Sequence, residues 1–168
     1  MSTHARTLTC GPTIRVSTRR VSFSLALNDA APHIGETITT PPDAVHIARA
    51  VIGDDITECV LVIFLDSRRR VTGYAEVARG TLNSARLQPR DVYSRALLSA
   101  ASTIIITHNH PSQDVTPSRA DRHVTRALRD AGALLGVELL DHLIVTATDY
   151  FSFRRDEGWD DGDAEAMG

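Results

Sequence analysis

Apolar and polar positions divide the chain into short alternating elements. From Val16 onward the pattern alternates, and Val21, Phe23, Leu25 and Leu27 share one face of an expected strand. Residues 28–42 are rich in turn formers, including Pro32, Gly35, Pro41 and Pro42. Pro41-Pro42 opens a helix, where the missing N–H of proline is harmless. Val45, Ile47, Ala48, Val51 and Ile52 form its apolar side, and Gly53 ends it. The continuous apolar run from Cys59 to Leu65 predicts a strand covered on both faces. Residues 66–70 make a turn, and residues 71–78 return as its partner strand. Residues 80–84 form a connection. Pro89 starts a second helix over residues 90–101, with Val92, Ala96, Leu97 and Ala100 facing inward. Residues 103–107 form a short buried strand. A polar loop leads to a third helix over residues 118–135, stopped by Gly136. Residues 137–146 and 150–154 complete the set as strands.

Strands alternating with helices predict an α/β (α+β) fold with a single mixed β-sheet flanked by helices. The chain divides into a strand-and-turn extension (1–40), a folded domain (41–156) and an acidic tail (157–168) for which disorder is expected. Its 168 residues suit one main domain. The run from Cys59 to Leu65 falls far short of the roughly 20 residues needed to cross a bilayer. No apolar signal core opens the chain, and Cys10 and Cys59 make no CxxC or disulfide framework, so a cytoplasmic protein without membrane association is expected. All 18 basic residues are arginine, which excludes Schiff-base lysine chemistry and a P-loop lysine. Of the 21 acids, six lie in residues 156–168; the remainder of the chain sets 18 arginines against 15 acids. That excess is too small to argue for nucleic acid.

The chemistry concentrates between Thr107 and Asp121. His108 and His110 leave a buried strand two residues apart, so both imidazoles reach one side. Asp121 follows in the first turn of the third helix. Two histidines and one carboxylate match a catalytic zinc site with its fourth position open to water. Ser118-x-x-Asp121 also reads as a capping box, and Asp114 competes as third ligand from the more flexible part of the loop.

His108-x-His110-x7-Ser118-x2-Asp121 resembles the JAMM (MPN+) metalloprotease motif. The wider chain is similar to the RadC-like JAB-domain family through Leu65-Asp66, Gly80-Thr-Leu-Asn83, Pro89-Arg90, His108-Asn-His-Pro-Ser112, Leu139-Leu-Asp-His142 and Tyr150-x-Ser152-Phe153, in order. The resemblance implies a JAB/MPN-like sheet with cytidine-deaminase-like layering, Zn2+ held by His108, His110 and Asp121, and Ser118 steadying a tetrahedral intermediate. It also implies a glutamate, just ahead of the first buried strand of the domain, that contacts the bound water. Glu58 holds that place; Glu76 in the returning strand is the alternative. The expected reaction is hydrolysis of an amide bond in a protein or peptide. The family's link to DNA repair and mobile elements offers another role, a nucleic-acid or partner-binding accessory without proteolysis.

Two departures stand out. Gln113 occupies the usual glycine place of His-Asn-His-Pro-Ser-Gly, where positive φ is favoured. No helix-hairpin-helix region is legible in the first 40 residues, so a short form of the family is expected. Asp141-His142 can support a metal site or simply pack. Arg119, Arg122, Arg126 and Arg129 fall in one arc of the third helix; a solvated face or a phosphate-binding stripe both fit. Arg68-Arg69-Arg70 at the hairpin tip is equally ambiguous.

Overall fold

A strand of seven consecutive apolar residues can shed water only if it is covered above and below. In the computed structural model, which describes residues 33–53, 55–80 and 87–158, β1 (Cys59–Leu65) is buried at every position. It lies second in a five-stranded sheet of order β2-β1-β3-β4-β5, with β2 at Val71–Arg79, β3 at Thr103–Asn109, β4 at Glu138–Val145 and β5 at Tyr150–Ser152. The β3–β4 pair is parallel and the other three pairs are antiparallel, so the sheet is mixed.

Alternation splits the side chains of β1 between two cores. Cys59, Leu61, Ile63 and Leu65 pack with α1 (Pro41–Ile52), whose Ala44, Val45, Ile47, Ala48 and Ile52 are buried. Val60, Val62 and Phe64 face the other side, with α2 (Pro89–Leu98) and α3 (Arg119–Leu135). Each fully buried aliphatic chain contributes about 1.5–3 kcal/mol. The β3–β4 connection runs through α3, so the N-terminus of α3 lies at the carboxyl end of β3, where open α/β sheets commonly hold their ligands.

Several boundaries differ from expectation. α2 ends at Leu98 rather than 101, and Ala100 takes φ 50°. Leu97 is 51% exposed and Ala100 is exposed, whereas Tyr93 turns inward and donates its hydroxyl to Leu128 O at 2.7 Å. β3 runs on to Asn109, so His108 lies inside the strand. β5 stops at Ser152, and a π-helical turn follows over Phe153–Glu157. α3 starts and stops as expected, with Ser118 as N-cap and Gly136 as a left-handed C-cap at φ 69°. The strand expected over residues 16–27, the connection at 81–84 and the tail from 159 lie outside the described residues.

Gly132 allows α3 to approach α2 closely. A Cβ there would meet Tyr93 Oη at 2.5 Å and Val137 O at 2.6 Å. Gly132→Ala is therefore expected to destabilise the domain by about 1–3 kcal/mol, despite alanine's better helix propensity. Urea denaturation checks this; an unchanged or higher midpoint would contradict the packing described.

Candidate metal centre

Strand register places four donor side chains at one end of the sheet. Val60 pairs with His108 at the end of the antiparallel β1–β3 ladder, and the same register continued two residues sets Glu58 opposite His110. Alternation then directs Glu58, Val60 and His108 to the face that α3 covers. The β1–β2 ladder carries on past β1, since Gly80 N donates to Glu58 O at 2.7 Å. Asp121 arrives from the first turn of α3. The donor atoms of Glu58, His108, His110 and Asp121 all lie within 4.8 Å of one another. No other such group of His, Cys, Asp and Glu occurs among the described residues. His108 Nε2 stands 3.0 Å from His110 Nε2, 3.5 Å from Asp121 Oδ1 and 3.9 Å from Glu58 Oε1.

The capping box and the ligand role of Asp121 were alternatives in the sequence; the carboxylate has an oxygen for each. Oδ2 accepts from Ser118 N at 2.7 Å, while Ser118 Oγ accepts from Asp121 N at 3.2 Å. Oδ1 is buried, receives no hydrogen bond among the described residues and faces His108. Leaving a buried charged acceptor unpaired costs on the order of 1–3 kcal/mol or more. A cation bound between the carboxylate and the imidazoles removes that cost, and mixed N and O donors suit Zn2+ among other divalent ions. The residues present therefore fit a metal ion.

The two imidazoles are prepared differently. His110 Nδ1 lies 2.6 Å from Asp114 O, a carbonyl that can only accept, so Nδ1 donates there and Nε2 is the nitrogen turned to the cluster. His108 is fully buried, and desolvation lowers its pKa to about 4, partly offset by the negative charge of Asp121. Burial likewise holds His142 well below the usual histidine value. Burial therefore favours the neutral form of His108 and of His142, the form that metal ligation and its support require.

The remaining sequence-derived positions sort by geometry. Asp114 contributes through its backbone; its carboxylate accepts from Thr116 N at 2.8 Å and stays exposed, outside the group. Glu76 is exposed and grips Arg79 through both oxygens, at 2.9 and 2.7 Å. Gln113 adopts φ 62°, the conformation a glycine would favour, and its Oε1 accepts from Ala147 N at 3.0 Å. That contact ties the loop to the β4–β5 turn and keeps the glutamine amide off the cluster. In the arginine arc, Arg122 is bound to Glu157 at 2.7 Å and to Pro117 O at 2.6 Å. His142 and Asp141 take different parts. His142 stands 2.9 Å from His108 and stacks on Phe153, whereas Asp141 accepts from Ser152 Oγ and Arg154 N.

In the sequence Asn109 is only the spacer between two histidines. Its side chain turns to the opposite face of β3 and makes three bonds around Glu58. Oδ1 accepts from Cys59 N at 2.6 Å, and Nδ2 donates to Thr57 O at 3.1 Å and Asp55 O at 3.0 Å. The backbone of one residue thus carries the imidazoles while its side chain holds the segment bearing the glutamate. Only the register, whose last pair Val60–His108 leaves Cys59 beside Asn109, reveals this.

The fold and the cluster together define a mixed-sheet α/β domain with a metal-ready group of two histidines, an aspartate and a glutamate. A family model, the RadC-like JAB domain, matches residues 38–159, and the chain belongs to that family. It is similar to a UPF0758 protein of Burkholderia thailandensis, 47% identical over 111 residues (66% of this chain, 42% of that one). A UPF0758 protein of Chlorobaculum parvum is 40% identical over 136 residues (81% and 58%), and one of Trichlorobacter lovleyi 38% identical over 118 (70% and 51%). The chain spans about half the length of the curated relatives it matches. Among the described residues, no helix is long and apolar enough to cross a membrane.

Asn109→Asp keeps the acceptor for Cys59 N but sets a carboxylate oxygen against the carbonyls of Asp55 and Thr57. A loss of about 1–3 kcal/mol is expected in chemical denaturation. An unperturbed midpoint would show that these bonds do not hold the segment.

Proposed function

We propose that the domain is a zinc-dependent hydrolase of the JAMM type that cleaves an amide bond in a protein or peptide substrate. The observation that carries this reading is the convergence of Glu58, His108, His110 and Asp121 within 4.8 Å, with one buried Asp121 oxygen left unpartnered. His108, His110 and Asp121 would hold the ion. When bound there, Zn2+ polarises a carbonyl oxygen and brings the pKa of a water near 7.

The residues of the chain supply the rest. Glu58 is half-buried just ahead of β1, with Oε1 3.9 Å from His108 Nε2, and acts as general base. Its carboxylate takes a proton from the attacking water and returns it to the amine as the C–N bond breaks. Ser118 Oγ accepts from Asp121 N, which leaves its own O–H proton free to donate to the oxygen on which negative charge develops. Ser118 is exposed, so a substrate carbonyl can reach it. The accessory nucleic-acid reading has less support, because Arg122 in the arginine arc is committed to Glu157 and to the loop carbonyls. A cytoplasmic setting remains part of the proposal and rests on the cysteine usage alone.

Metal analysis after dialysis against zinc should find one equivalent in the wild type and in Glu58→Gln, and little in Asp121→Ala. Against a broad fluorogenic peptide library, Glu58→Gln should lower turnover by about 10²–10⁴-fold relative to the wild type. A wild type that retains no stoichiometric zinc would overturn the proposal.

A further inference from the structure

We propose that Thr125 and His142 form a one-way hydrogen-bond chain that sets the tautomer of His108 and leaves its Nε2 lone pair free for the ion. Thr125 and His142 are thus positioning residues, and the inference rests on the metal-site reading above.

The direction of the chain follows from its fixed end. Asp121 O is a carbonyl and can only accept; Thr125 Oγ1 lies 2.6 Å from it, one helical turn on. The single hydroxyl proton of Thr125 is spent there. His142 Nδ1 is also 2.6 Å from Thr125 Oγ1, so on this side the hydroxyl oxygen accepts and Nδ1 must carry the ring proton. A neutral imidazole has one N–H, which leaves His142 Nε2 bare. That nitrogen lies 2.9 Å from His108 Nδ1, so His108 carries its proton on Nδ1 and donates. Its Nε2 is then the bare atom, and this is the atom that faces Glu58, His110 and Asp121.

Reversing the chain would set the hydroxyl oxygen of Thr125 against Asp121 O at 2.6 Å with no proton between them, and would turn a His108 N–H into the cluster. Thr125, Asp121, His108 and His142 are all buried. The plane of the His142 ring is held by Phe153, stacked at 4.8 Å and 12°. The first two turns of α3 therefore act on the site twice: Asp121 supplies a carboxylate, and the backbone of the same residue orders the protons of the opposite ligand.

Thr125→Val keeps the shape and removes the hydroxyl. His142 Nδ1–H then loses its acceptor, and the pair is expected to flip to the Nε2–H tautomers. Histidine tautomers read by ¹⁵N NMR on the zinc-free protein at pH 8 should be Nδ1–H for both His108 and His142 in the wild type and in Thr125→Ser. Both should be Nε2–H in Thr125→Val. Zinc affinity, read by competition with a chromophoric chelator, should fall about tenfold or more in Thr125→Val and return to within about threefold in Thr125→Ser. A wild type with His142 protonated on Nε2 would overturn the inference even if no variant folded. So would a Thr125→Val protein that binds zinc as tightly as the wild type. A wild type that shows the expected tautomers but binds no zinc would instead overturn the metal-site reading and leave the proton order standing.

Discussion

The structure turns on one buried carboxylate oxygen with no donor. Asp121 Oδ1 is shut away from water, receives no hydrogen bond among the described residues and looks across 3.5 Å at an imidazole nitrogen. Beside it a second imidazole nitrogen approaches the first to 3.0 Å, and a glutamate closes the group. Such a collection of acceptors repels itself unless a positive charge sits among them. The surrounding layers hold it together. β1 is covered on both faces and cannot shift, β3 is paired on both sides, and α3 is pinned against β4 and α2.

Two parts of the fold deliver the group, and each does so through an economy of residues. At the end of β3, the alternation of His108, Asn109 and His110 sends two rings to one face and an amide to the other. The amide then fastens the segment on which Glu58 rides. At the start of α3, Ser118 and Asp121 cap the helix reciprocally while the spare oxygen of Asp121 remains for the cluster. Thr125, one turn later, reaches back to the same residue and across to His142. The stability of the helix end and the order of the site are therefore one structural problem with one solution.

Much of this was legible in the sequence, for physical reasons. The apolar run of β1 and the capped, amphipathic α3 announce themselves because local pattern and burial agree. The histidine pair and Asp121 were legible because their spacing places them at a strand exit and in a first helical turn. The end of α2 was not legible: Leu97 and Ala100 look like core residues, yet Ala100 takes a positive φ and Leu97 stays exposed. Nor were the duties of Asn109, Thr125 and His142. Each depends on a partner many positions away, at a distance set by strand register or by how α3 lies on β4. Gln113 stands in a glycine place, and it adopts the glycine conformation with an added tether to Ala147.

Zinc K-edge X-ray absorption on the metal-loaded wild type and on Asp121→Ala tests the central claim most directly. The account predicts a wild-type shell of two imidazole nitrogens at about 2.0–2.1 Å with oxygen donors at about 2.0–2.2 Å, and loss of that ordered shell in the variant. A shell with fewer than two imidazoles, or one that Asp121→Ala leaves unaltered, would contradict it.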